Sequence, residues 1–217
     1  MVGRAAHPVE IAVDEGVRQL VADAVDAQGA RAARLAAEEN RWRTRGLTRA
    51  EAAAVRAEWR GKVRRLRAAG ELLDVRGALV EYGVREELRV LGWDREWDPA
   101  PEEAWDQGRW PGSRDRGVGG YPERVAVRLD AALAAQVVAA CWWTSWPSIR
   151  ALRQWRDDFP GLTPSRYRLD HEGRKQLVGP LAQYERLAAG VTTTGEIWRA
   201  GVMRGLEQAA AISDRSD

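Results

Sequence analysis

Val9, Ile11 and Val13 alternate with Glu10 and Ala12, which predicts a short strand, and Asp14 stands where a helix N-cap belongs. Helix is expected from there to about Gln28, with Gly29 as an interruption before a second helical stretch through about Trp42. Thr48 followed three residues on by Glu51 is a capping-box signature, and Val55, Trp59, Val63 and Leu66 then recur at helical spacing. Beside that apolar stripe runs a basic one of Arg49, Arg56, Arg60, Arg64 and Arg67. Asp74 is expected to cap the next helix, which carries Val80, Val84, Leu88 and Leu91 on one face despite Gly77 and Gly83.

Regular patterning stops between Gly92 and Gly120, a stretch with Pro99, Pro101, Pro111, a glycine-rich end and many acids. It reads as a linker or long ordered loop. Four tryptophans inside it, Trp93, Trp97, Trp105 and Trp110, are more than a free linker needs, so part of it is expected to pack on a domain or a partner. Alternation then returns: Val125, Val127 and Leu129 interleave with Arg124, Ala126 and Arg128, a strand with one apolar and one basic face. Asp130 caps an Ala, Leu and Val-rich helix expected to stop near Trp143, where Thr144, Ser145 and Pro147 signal a break. A second helix is expected from about Trp146 to Asp158, with Ile149, Leu152 and Trp155 inward.

A basic strand, a helix, a tight turn and a second helix, over residues 123–159, is an order that resembles the ribbon-helix-helix family of DNA-binding proteins. The resemblance implies that Arg124, Ala126 and Arg128 face base edges in the major groove of double-stranded DNA. It also implies that backbone amides around Ser145 and Trp146 hold a phosphate. A lone strand must pair, and pairing two copies, from two chains in a homodimer or from two stretches of one chain, would align two rows of arginines. A degenerate second copy is visible over 166–207: Tyr167-Arg168-Leu169-Asp170, a helix containing Pro180, Gly190, and then Thr193 and Glu196 as a capping box. Ile11-Ala12-Val13-Asp14 is a fainter third echo. The fold class expected is mainly α, a helical N-terminal domain plus a C-terminal strand-helix-helix region with a short β ribbon. The expected blocks are 1–91 (basic helical), 92–120 (acidic linker) and 121–217 (ribbon-helix-helix-like).

Composition sharpens the electrostatics. The 217 residues carry a net charge of only +2, but 1–70 hold 14 basic and 9 acidic side chains, 71–123 hold 7 and 13, and 124–217 hold 13 and 10. Between Arg41 and Arg67 there are ten basic residues against Glu51 and Glu58. All but Lys62 and Lys175 of the 34 basic residues are arginine, a bias that a GC-rich bacterial, phage or plasmid genome would favour and that also suits phosphate and base-edge recognition. One cysteine and two histidines, His7 and His171, exclude a disulfide framework, a zinc finger and a catalytic zinc site. His171 and Arg174 share a spacing with tyrosine recombinases, but no tyrosine follows Trp198 to act as nucleophile. Gly117-Val118-Gly119-Gly120 lacks the Lys-Ser/Thr of a phosphate loop, and the acids Glu86, Glu87, Glu102 and Glu103 read as solvated surface.

No enzyme, cofactor or metal is implied, and with no apolar run near 18 residues and no leader-type start the chain is expected to be cytoplasmic, with no membrane partner. The expected function is that of a DNA-binding accessory or regulatory protein. The alternative is a protein-interaction or assembly subunit that docks through Trp93, Trp97, Trp105 and Trp110.

Overall fold

The computed structural model describes residues 6–43, 46–105, 120–162 and 179–215. The elements are β1 (Ala6–Val13), α1 (Val17–Arg43), α2 (Arg49–Ala68), α3 (Arg76–Val90), a short 3-10 turn (Glu102–Trp105), β2 (Glu123–Asp130), α4 (Ala131–Asp158), α5 (Pro180–Ala189) and α6 (Thr194–Asp214). The fold is mainly helical with one two-stranded antiparallel sheet. It divides into two compact units: Met1–Asp94 with Tyr121–Ala131 and Trp198–Asp217, and Arg95–Gly120 with Ala132–Ile197. In this grouping β2 and most of α6 belong with the N-terminal stretch.

In the first unit the ribbon is closed within the chain. β1 pairs with β2 so that Val9 lies opposite Val127, Ile11 opposite Val125 and Pro8 opposite Arg128. The inward set Ile11, Val13, Val125, Val127 and Leu129 is buried, and β2 packs on α1 and α3. The faint echo at Ile11 is thus the true partner of β2, while Tyr167–Asp170, the other candidate, lies outside the described residues. Antiparallel alternation decides which side chains face in; nothing local decides which strand supplies the other half.

Glycines set the crossing of α3 and α6. A Cβ on Gly83 would meet the Gly201 carbonyl and lie 2.7 Å from the Gly205 nitrogen, and one on Gly201 would lie 2.9 Å from the Val84 nitrogen. Neither obstacle is a flexible side-chain end, so the helices approach this closely only because these positions lack side chains. Arg204 bonds Glu87 across the same pair of helices, and Gln208 Nε2 donates to the Gly70 carbonyl at 2.8 Å. Gly70 itself is left-handed (φ 68°) and lies against the Tyr82 ring, closing the turn after α2.

Two local expectations in this unit are corrected. α1 runs through Gly29 without a break, anchored by buried Gln28, whose Nε2 donates to the Ala209 carbonyl at 3.3 Å. Asp74 does not cap α3; Val75 is the N-cap, and Asp74 accepts both Nε and Nη2 of Arg67 at 2.7 and 2.9 Å. The guanidinium fork engages both carboxylate oxygens and brings a full positive charge, whereas a cap would offer only backbone N–H groups, so the guanidinium wins the carboxylate.

In the second unit the expected helix break near Trp143 is absent. α4 is continuous for 28 residues with Pro147 inside it. An interior proline costs about 3 kcal/mol through its missing N–H and the clash with the preceding turn. Large apolar side chains contribute about 1.5–3 kcal/mol each on burial. With Trp142 and Leu133 buried before the proline and Ile149, Leu152 and Trp155 after it, the two halves together outweigh the local stop signal. Trp155 packs against Tyr184 of α5 at 4.9 Å between ring centroids, and its Nε1 donates to the Pro180 carbonyl at 2.8 Å. Pro180 therefore starts α5 rather than interrupting a helix, and Thr193 with Glu196 forms the expected reciprocal bonds at the start of α6.

Gly83→Ala and Gly201→Ala are each expected to destabilise the fold by about 1–3 kcal/mol, the range for overpacking a well-filled contact. Gly61→Ala on open α2, where the nearest atom is the Arg65 Nη1 at 3.7 Å, is expected to raise stability by up to about 1 kcal/mol. Urea denaturation of the three variants checks both signs.

Candidate nucleic-acid interface

α2 begins where the sequence places it. The Glu51 N–H donates to the Thr48 Oγ1 at 3.3 Å, and the Glu51 carboxylate accepts the Thr48 N–H at 2.8 Å and its hydroxyl at 2.7 Å. These bonds, the hydroxyl's first, hold the Glu51 carboxyl below the usual carboxylate range. No residue of this 20-residue helix is buried: Val55, Trp59, Val63 and Leu66 are all only half-buried. The apolar stripe is real, yet it is incompletely covered.

Four of the five members of the basic stripe are displayed. At 100° per residue Arg49, Arg56, Arg60 and Arg64 fall on one side of α2, a run of about 22 Å at 1.5 Å per residue. All four are exposed, and none forms an ion pair with a described residue. Arg67, the fifth expected member, is taken by Asp74. Lys62 is taken by Glu39 of α1, and Arg31 of α1 donates to the Glu71 carbonyl, so the cations that tie α2 down are distinct from those it presents.

On the ribbon, Arg124, Ala126 and Arg128 occupy the outward face as their alternation requires, but they differ in availability. Arg128 is exposed and unpaired, Ala126 is exposed, and Arg124 is half-buried with its Nη1 donating to the Tyr121 and Glu123 carbonyls at 2.8 and 3.0 Å. The facing strand contributes Pro8, Glu10 and Ala12 to the same face. The expected second row of arginines is therefore replaced by one carboxylate and two small or apolar residues. Intrachain pairing with β1, which has no arginine in its span, is the reason.

Ser145 and Trp146 do not begin a helix. Both lie within α4, where Ser145 is buried and its Oγ accepts the Thr192 N–H at 2.9 Å, tying α4 to the turn before α6. Backbone amides inside a continuous helix are already engaged, so an anion-holding helix start is not present there. Cys141, one turn earlier, is buried; burial first, and the nearby Glu196 second, push its thiol well above the ordinary value.

The tryptophan-rich stretch is largely occupied. Trp93 and Trp97 are half-buried, and Trp97 lies under the Arg95 guanidinium, 4.1 Å from the ring centroid. Trp143 Nε1 donates to the Asp98 carbonyl at 2.8 Å, and Arg153 of α4 pairs with Glu103 at 2.9 Å while sitting 5.4 Å from the Trp146 ring centroid. Residues 95–105 are thus tied to α4. Trp105 is 43% exposed, and Trp110 lies outside the described residues. Of the clustered acids, Glu86 pairs with Arg89 and Glu87 with Arg204, and no group of metal-ligating side chains occurs among the described residues. Among those residues no helix is long and apolar enough to cross a membrane.

What the sequence reading missed is a groove of about 760 Å³ between α1 and α2, floored by Ala32, Ala33, Ala36 and Val63 with Trp59, and edged by arginines of α2. Its signal in the sequence was the apolar stripe of α2, which the described residues leave only half-buried. Comparison with family models, curated proteins and solved structures found no match to this chain.

Because Glu51 titrates below its ordinary value, its contribution is present in full above about pH 4.5 and is lost as pH falls through the lower folded-state value. The amide protection factors at Thr48 and Glu51 are expected to fall on acidification through that range, exchange slowing less than the intrinsic rate does, and Glu51→Gln is expected to flatten that fall. Cys141 is expected to resist thiol reagents in the native protein and to react only after unfolding.

Proposed function

We propose that this chain is a DNA-binding accessory or regulatory protein that holds the phosphate backbone with the exposed face of α2. The observation that carries this reading is the row of Arg49, Arg56, Arg60 and Arg64, four exposed guanidiniums without an ion-pair partner among the described residues, along one side of a helix that buries none of its residues. Guanidinium is weakly hydrated and forks onto phosphate oxygens, so a solvent-facing row of four without internal acids suits a polyanion better than it serves the fold.

The ribbon supplies a second, smaller contact. Arg128 stands free on its outward face, and a two-stranded antiparallel ribbon is narrow enough to enter a major groove. The antiparallel ribbon with Arg128 outward supports this contact; the helix pair implied by the ribbon-helix-helix resemblance is one helix here, so the phosphate contacts are assigned to α2. Docking through the tryptophan-rich stretch has weaker support, since Trp97 is already stacked on Arg95.

With four arginines on phosphates, log affinity is expected to fall with log salt at a slope of roughly −3 to −4. In fluorescence polarisation, Arg49→Ala and Arg56→Ala are expected to weaken binding to any duplex about equally and to flatten the slope by about 1 each. Arg128→Ala is expected to reduce the preference between sequences by about 1–3 kcal/mol. A salt-independent affinity, or one untouched by the Arg49 and Arg56 changes, contradicts the assignment.

A further inference from the structure

We infer that the groove between α1 and α2 is a docking site for an acidic amphipathic helix of a partner protein. Two helices side by side cannot bury both of their apolar stripes: Val55, Trp59, Val63 and Leu66 of α2 remain half-buried, and Trp59 and Val63 line the groove. The alanines at 32, 33 and 36 on the α1 wall keep that wall low, leaving room for side chains of a third helix to interdigitate with Trp59 and Val63. The opening is concave and apolar at its floor, which a nucleic-acid backbone has no group to fill.

Charge selects among occupants. The groove is edged by Arg60 and Arg64, both exposed and without an ion-pair partner, while Arg67 and Asp74 close one end by neutralising each other. A second copy of this hairpin would bring another strongly basic helix, with seven cations and two acids over Arg49–Ala68, against the first. Like charges at that spacing repel, so self-association is disfavoured. An apolar seam flanked by Asp or Glu satisfies both the floor and the rim, as in helix-in-groove recognition. Because Arg60 and Arg64 also belong to the phosphate-facing row, such a partner and DNA exclude one another. The docking itself does not depend on DNA being the other ligand.

The test uses the full chain and a labelled synthetic helical peptide of about five turns. The peptide has leucines at i, i+3, i+4 and i+7 spacing flanked by glutamates, with a lysine-flanked version as control. Polarisation is expected to show micromolar binding of the acidic peptide only. Ala33→Trp fills the groove at an exposed position without altering charge, and it is expected to weaken peptide binding at least about tenfold while leaving DNA affinity unchanged. Arg56→Ala, outside the groove lining, is expected to do the reverse, so failure of either proposal is visible separately. Arg60→Glu is expected to abolish both. The proposal is overturned if the acidic peptide fails to bind at about 1 mM, if the basic peptide binds as well, or if Ala33→Trp leaves peptide affinity intact. Sedimentation showing a dimer that Ala33→Trp dissociates would assign the groove to a second copy. Capture of phosphatidylserine vesicles without peptide binding would assign it to a lipid surface, and either result overturns the proposal.

Discussion

The α3–α6 crossing is the contact on which the first unit depends. Gly83, Gly201 and Gly205 bring two helix backbones closer than any side chain permits, and the contact joins residues more than a hundred positions apart in sequence. Around it the polar groups find their partners: Arg204 reaches Glu87, and Gln208 caps the carbonyl of Gly70 where α2 turns into α3. A methyl group at Gly83 would therefore do more than fill space. It would push α6 outward and strip hydrogen bonds from the turn that sets where α2 points.

The ribbon is the second long-range closure. β1 and β2 are separated by three helices in sequence yet form all of the sheet, so the first unit is assembled from three distant stretches of chain. Such closure carries a loop-entropy cost that rises slowly with length, and the buried face of Ile11, Val13, Val125, Val127 and Leu129 offsets it. The same pairing fixes what the outer face can do. Ala12 and Glu10 stand where a symmetric ribbon would carry arginines, so the guanidinium exposed on the outer face of the described ribbon is that of Arg128.

On α2, cations divide into two populations by geometry. Arg67 and Lys62 meet acids of the same unit and hold the helix in place; Arg49, Arg56, Arg60 and Arg64 meet solvent. The second group makes no ion pair with a described residue, so neutralising one of its members removes no such contact from the fold. A helix attached by a few polar ties and a half-covered apolar stripe is suited to presenting a surface, and both of its faces, guanidinium row and groove, are open at once.

Short-range physics was readable from residue order. The two capping boxes, Thr48 with Glu51 and Thr193 with Glu196, need only a four-residue window, and the period-two alternation of 124–129 fixes strand and facing together. The basic stripe of α2 follows from helical spacing alone. Other features were settled by partners far away in sequence. Asp74 left its cap for Arg67, Pro147 stayed inside α4 because buried side chains on both sides hold the helix straight through, and Gly83 had its purpose supplied by α6. The partner of β2 was likewise chosen by tertiary assembly, since any alternating apolar strand satisfies the same ladder. Local pattern determines what a segment can become, whereas competition for a shared carboxylate, a shared apolar face or a shared volume is resolved only when the distant segments meet.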